Sequence, residues 1–565
     1  MHGMLERICQ RLEIDPPDAL RSHREALNDG GQTASHDYDP DDEGVCELSP
    51  PVSPSVVKAP IDSYLTGVQE TSPYAQSGPA QSSPHKARRN TFGTADMITK
   101  GKISLDSAEA LVHYYLTHLD PFLYSIASSY KGIEDVRRAS PALLAAMCTV
   151  SAFQKAENRD LFDICNREYR QLVSTALFEK RDVEHIRALC VGSFWLPNAS
   201  RILNGDAIRR SADCRLHCHF HELAEHTTAP STAATPVVND KAADRVRLWY
   251  LLFVCDQQIS ILHNRDCVMH PENDVIEGRE SLLATNKPSN ENVRLVSQVS
   301  LLVIMGQIRD VFGSEQPRPV PKALSVQLAH FTRELDQWFA RFHPIFEADP
   351  NIGNFPSAGL SLHNQFGRLY LGHHILRGLQ KSDPIPLHFQ QAALAAREAA
   401  AKIFSMIIEN EALRANVVGI PHYFHIMISF AGHFLLEACM KYSEQLSVSV
   451  EDEFRRIAAV LALFSSTDVV PQHPLGRVTT GLMRKLSECA AALGFESVLT
   501  GSPFECLEGY LATARDFGTR SVADGAVDGL VPAATPFDWQ GMPSDFLYTD
   551  FADFNFADPH FDFMT

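Results

Sequence analysis

No CxxC pair occurs anywhere in this chain, although it holds 12 cysteines. That absence excludes zinc ribbons and thioredoxin-like motifs, and thiols so thinly spread read as the reduced cysteines of an intracellular protein. Basic charge is scarce too: 50 Lys and Arg against 69 Asp and Glu leave a net charge of −19. A nucleic-acid surface needs clustered cations to displace counterions, so this sequence is not expected to contact DNA itself. The opening MHGMLERICQRLE lacks an apolar signal core. No apolar run is expected to reach the length of a membrane span, so no membrane partner is expected. The expectation is a soluble protein of the cytosol or nucleus. Hairpin signals, βαβ alternation and a fixed repeat are also missing. So are a GxSxG elbow, a P-loop and a dinucleotide fingerprint. No catalytic, cofactor-binding or metal-binding residue is nominated, and an enzyme is not expected.

What is present falls into four parts. Residues 1–15 place Leu5, Ile8 and Leu12 at a/d-type spacing before Pro16 and Pro17, which is either a short coiled-coil helix or a frayed one. Residues 16–100 are rich in Ser, Pro, Gly and Asp and read as a disordered linker. Ser-Pro steps stand at Ser49, Ser53, Ser72 and Ser83. The basic cluster Lys86, Arg88, Arg89 is either a nuclear-import signal or part of a solvated linker. Residues 101–517 form an all-α body, a large irregular multi-helix domain. Its first helix is expected to be capped by Asp106 or Ser107. Apolar periodicity predicts further helices near 139–157, 159–180, 182–195, 199–226, 241–264, 290–313, 321–343, 359–381, 386–411, 419–443, 451–465, 472–493 and 503–516. Breaks are expected near 227–240, 267–289 and 314–321.

Residues 518–565 are an acidic-aromatic tail. Phe537, Trp539, Phe546, Tyr548, Phe551, Phe554, Phe556, Phe561 and Phe563 alternate with aspartates, and no Lys or Arg follows Phe537. That is the composition of an activation segment, which would recruit transcriptional coactivators. The competing reading is a terminal segment docked on its own helical body.

Two clusters suggest metal chemistry and fail on spacing. Cys214, His217, Cys218, His219, His221 and His226 include zinc-ligand types. On one helix, however, 214, 217, 218 and 221 share a face, which is the spacing of a buried stripe and cannot wrap an ion tetrahedrally. The acidic run Asp37, Asp39, Asp41, Asp42, Glu43 lies in the linker, and Asn273-Asp274 in a loop. A magnesium-dependent α-helical enzyme is therefore a remote alternative.

Residues 244–266, DRVRLWYLLFVCDQQISILHNRD, are the most informative stretch. Neither Gly nor Pro interrupts them, which allows about six helical turns, and the first half is apolar on every side, so it should be buried. Arg247 and Asp256 lie on opposite faces and are expected to anchor neighbouring helices. Arg247, Trp249, Asp256, Ser260 and Arg265 resemble a signature of the fungal-specific transcription factor domain, the middle region of zinc binuclear-cluster transcription factors. Where that family has Gly-Arg-Pro, this chain has Asn264-Arg265-Asp266. The segment 206–226, with Leu216-His217, resembles the preceding family helix. Residues 101–126 and 140–153 resemble the domain's start, in the branch containing activators of secreted-protease genes. The resemblance implies a nuclear transcription regulator that forms homodimers or heterodimers. It also implies a DNA-binding zinc cluster of six cysteines, which no residues here match. Zinc and DNA contact are thus expected only if a cluster is encoded upstream; the alternative is a cluster-less partner or scaffold that modulates a full-length regulator.

Overall fold

The computed structural model describes residues 95–498, apart from 229–235, 264–265, 272, 284–288, 314–317, 378 and 380–382. The heptad segment, the linker with Lys86, Arg88 and Arg89, the helix expected at 503–516, the aromatic tail and Arg265 lie outside the described residues.

The fold is all-α: among the described residues the only β feature is an isolated bridge between Asp349 and Gly353. In chain order the helices are α1 (Leu105–Tyr114), α2 (Ile133–Ala139), α3 (Pro141–Ala152), α4 (Arg159–Thr175), α5 (Val183–Trp195) and α6 (Pro197–Asp213). Next come α7 (His219–Thr228), α8 (Pro236–His263), the one-turn α9 (Asp274–Glu277), α10 (Asn290–Phe312), α11 (Ser325–Phe342) and α12 (Phe355–His373). The last are α13 (Leu387–Glu409), α14 (Glu411–Asn416), α15 (His422–Lys441), α16 (Val450–Ser465) and α17 (Pro474–Leu493).

Local chemistry sets the boundaries. Ser104, not Asp106 or Ser107, caps α1, its side chain accepting from the Ser107 N–H. The helix expected at 139–157 breaks off at Ala152, and its start is set by Ser140. The extended backbone of this serine ends α2, and its hydroxyl caps α3, whose first residue is Pro141. The helix expected at 199–226 also breaks, because Arg215 adopts a left-handed φ of 54° and ends α6. The helix expected at 359–381 begins earlier, at Phe355 with Pro356 in its first turn, and stops at His373. Within the break expected at 267–289, Asn273 caps α9, its side chain accepting from the Val275 N–H. At the other end of the body, Gly494 closes α17 with φ 75°.

Helix α5 packs on both α3 and α6, α8 lies against α5, α6, α7 and α10, and α12, α13 and α15 follow in contact. One apolar cluster runs from Met97 to Ala490, with a small satellite around Ile385, Ala393, Ala438, Tyr442 and Leu446. The expectation about apolar runs needs correcting, since α10 and α15 are long and apolar enough to cross a membrane. Most of each apolar window is buried inside the protein instead. Helix α10 moreover buries Arg294 and Arg309, which are expensive in hydrocarbon.

Candidate functional site

The signature helix α8 is buried without interruption from Leu248 to Gln258. Its apolar residues fill space on every side, and Arg247, Asp256 and Gln257 hold backbone. Asp256 is 7% exposed, and one of its carboxylate oxygens accepts from the N–H groups of Val268 (2.8 Å) and Met269 (2.7 Å). Beside it, the Gln257 amide donates to the Met269 carbonyl at 2.8 Å. Asp256 therefore fixes the turn that follows its own helix, rather than a neighbouring helix. Burial raises its carboxyl pKa, while the two N–H groups and Arg309 pull it back down. Ser260, one turn on, accepts from Arg309 of α10 at 2.5 Å. Trp249 is buried with its ring 5.1 Å from that of His217.

Arg247 does reach out of the helix. Its guanidinium donates to the carbonyl of Tyr124, in the corner that follows α1. Tyr124 and Ser125 both sit in the left-handed region, at φ 55° and 54°. Neither is glycine, so the corner carries a conformational cost of about 1 kcal/mol or more per residue. Three arginines from three helices offset it. Arg187 of α5 donates to the Ile126 carbonyl at 2.6 Å, Arg247 of α8 to Tyr124, and Arg294 of α10 to the Pro121 carbonyl at 2.8 Å. The Arg294 guanidinium also lies over the Tyr124 ring, 5.5 Å from its centroid. Asp120, 2% exposed, accepts from the Ala127 N–H with both oxygens at 3.1 Å. Burial pushes its carboxyl up to about 7, against the opposing pull of that N–H and of Arg247 and Arg187.

The arginines are themselves paired. Arg187 is 2% exposed and bonds Glu184 (2.8 Å) and Asp244 (2.9 Å), the residue that opens the signature stretch. Arg294 faces Asp349 at 3.4 Å. Sequence reasoning picked out Arg247, Asp256 and Ser260 but missed Arg187, Arg294, Arg309 and Asp120. The signal was a lone cation inside an apolar helix, as in HIRALCVGSFW, which marks a buried anchor rather than a solvated face.

The Cys/His cluster is dispersed by the break at Arg215. The Cys214 thiol points to the Arg181 carbonyl at 3.8 Å, and the His217 ring packs tilted against Trp249. His219 bonds Glu222 at 3.1 Å, and His221 sits edge-on to Phe220. The His226 side chain lies outside those described. Among the described residues no three of His, Cys, Asp and Glu gather to hold a metal ion, so the donor set of a six-cysteine zinc cluster has no counterpart there. A surface hollow of about 410 Å³ beside α1 is lined by Asp106, Glu109, His113, Lys131 and Ile133 among others. It is not an enclosed apolar pocket of the kind that holds small ligands.

Residues 101–465 match the family described as the middle domain of the transcriptional activator of proteases prtT. That span holds the clamped corner, the signature helix and every arginine named above. The transcriptional activator of proteases prtT of Emericella nidulans is 29% identical over 410 residues. The aligned region covers 70% of this chain and 60% of that relative's own length.

Proposed function

Since the chain belongs to the family of the PrtT-like middle domain, we propose that it is a fungal transcriptional activator, acting in the nucleus on genes for proteases, and not an enzyme. The match over residues 101–465 carries this reading, together with the relative's role as an activator of proteases. The buried geometry supports a regulatory body, because Arg247 and Asp256 of the signature hold backbone and Ser260 holds Arg309 of the neighbouring helix. The helical body regulates activity or dimerises, and the tail from Phe537 recruits coactivators through its aromatic residues. DNA contact comes from a zinc cluster that this sequence does not contain, or from a partner subunit that has one.

The test is a reporter gene driven by an unrelated DNA-binding domain fused to residues 521–565. The fusion is expected to activate strongly, and replacing Trp539, Phe546, Phe551 and Phe554 with alanine to abolish that activity. A fusion no more active than the bare DNA-binding domain overturns the role given to the tail. Loss of protease transcripts on deleting the gene tests the target class.

A further inference from the structure

We propose that the outer face of α6 and the turn after α4 form the docking surface for the chain's own acidic-aromatic tail. Large apolar side chains are exposed together here: Phe178 is 95% exposed, Ile202 62% and Leu177 61%. Ile202 shares the exposed row of α6 with Arg201, Gly205 and Arg209. The turn is fixed to the same helix, because Arg210 donates to the carbonyls of Ala176 and Glu179, both at 2.9 Å. Arg210 lies about 12 Å along the helix axis from Ile202. The turn that exposes Phe178 is thus anchored to the helix that exposes Ile202.

Charge selects the occupant. Asp206 is engaged by Arg210 (2.8 Å) and Glu179 by Arg181, while Asp213 is exposed at the end of α6. Among the described residues no ion pair to Arg201, Arg209 or Lys180 occurs, so three exposed cations surround the apolar residues. On a chain of net charge −19 this is an unusual surface. Gly205 adds an independent sign. It sits mid-helix, where glycine costs about 1 kcal/mol relative to alanine, and a Cβ there would meet nothing within 4 Å. Packing inside the body gives no reason for it, whereas close approach of another segment does.

The tail fits that chemistry. From Phe537 it carries aspartates and aromatic rings with no Lys or Arg, so its aspartates can meet Arg201, Arg209 and Lys180 while its rings cover Ile202 and Phe178. The chain between Val498 and Phe537 spans up to roughly 130 Å when extended, ample to reach α6. Docking there hides the same rings that a coactivator would take, so the two bindings compete. The proposal rests on the reading of the tail as a partner-binding segment.

The experiment uses the full chain with p-benzoylphenylalanine in place of Ile202, irradiated and mapped by mass spectrometry, with Val326 on α11 as an equally exposed control site. Cross-links from 202 to residues 537–563 of the same chain, absent from 326, are expected. Cross-links to a second copy, or none above the control, overturn the proposal. In parallel, Ile202→Glu with Phe178→Glu in the full chain fused to an unrelated DNA-binding domain is expected to raise reporter output about fivefold. Unchanged output, with residues 521–565 active by themselves, overturns the docking and leaves the activator reading intact. An inactive tail fusion with the cross-links present does the reverse.

Discussion

Asp256 shows what a single residue of the signature does. Among the described residues its carboxylate accepts from the N–H groups of Val268, which is 63% exposed, and of Met269, which is buried. Asp256→Ala is therefore expected to cost about 1–3 kcal/mol, chiefly the penalty for stranding the buried Met269 N–H. Asp256→Asn keeps an acceptor oxygen and is expected to cost less than half of that. Equal losses in urea unfolding would show that the charge, not the hydrogen bonds, matters. Arg187→Met is expected to cost about 3 kcal/mol, because it strands the Ile126 carbonyl and leaves Asp244 and Glu184 with Arg245 alone as a cation. The estimate sits at the low end because both carboxylates are partly exposed and can regain water. Asp256 was legible in the sequence as a charge closing an apolar run. Its partners were not, since they lie in a turn that follows no period. Arg187 was overlooked because one cation among apolar residues leaves helical periodicity unchanged.

Helix existence was readable from apolar spacing, whereas helix ends were decided by single residues. Arg215 cuts a stretch whose period runs straight through it, and Ser140 sets the start of α3 as its cap. Only the left-handed backbone at Arg215 reveals the cut. Helix contacts offer a sharper test through glycine. A Cβ on Gly372 would stand 2.5 Å from the Ala396 Cβ and 3.0 Å from the Ala392 carbonyl, so α12 and α13 cannot both keep their places. Gly372→Ala is expected to destabilise by about 2–3 kcal/mol. A Cβ on Gly432 would meet Leu482 at 2.7 Å and Phe404 at 3.0 Å, where side chains can give a little, and the expected cost is about 1–2 kcal/mol. Gly205→Ala meets nothing and should stabilise by about 0.5–1 kcal/mol. Thermal melts of the three variants test that order, and a stabilised Gly372→Ala protein would contradict the tight α12–α13 contact.

For the molecule as a whole, buried histidines set the response to acid. Burial lowers His363, His422 and His425 to about 4, and His374 and His473 further. A histidine whose folded pKa is depressed stabilises the fold above its unfolded value near 6.5, and that stability drains away as pH falls toward 4. Each of the first three should lose about 2 kcal/mol between about pH 7 and about pH 5. Asp120 works the other way. Its folded pKa is raised, so its contribution shrinks as pH climbs from about 4 to about 7, by about 2 kcal/mol over the same interval. Three histidines outweigh one carboxyl, and the melting temperature is expected to fall by several degrees from pH 7 to pH 5. A melting temperature that holds steady or rises over that interval would remove the histidines from this role. None of this was legible in the sequence, because a histidine in an apolar helix looks the same whether it is solvated or sealed in.

The arginine clamp has a bearing on synthesis. Pro121 and its partner Arg294 are 173 positions apart, and Gln154 and His473 are 319 apart. At about 5–20 residues per second, a ribosome needs roughly 10–35 s to travel from one end of the clamp to the other. Over that interval the clamp fills in order, Arg187 first, Arg247 next and Arg294 last, and α8 waits for α10 to cover it. Nascent chains arrested before Arg294 should be cut by protease within 120–127, and chains arrested well beyond it should resist. The N-terminal third of the body would then spend its first half-minute as a client of chaperones.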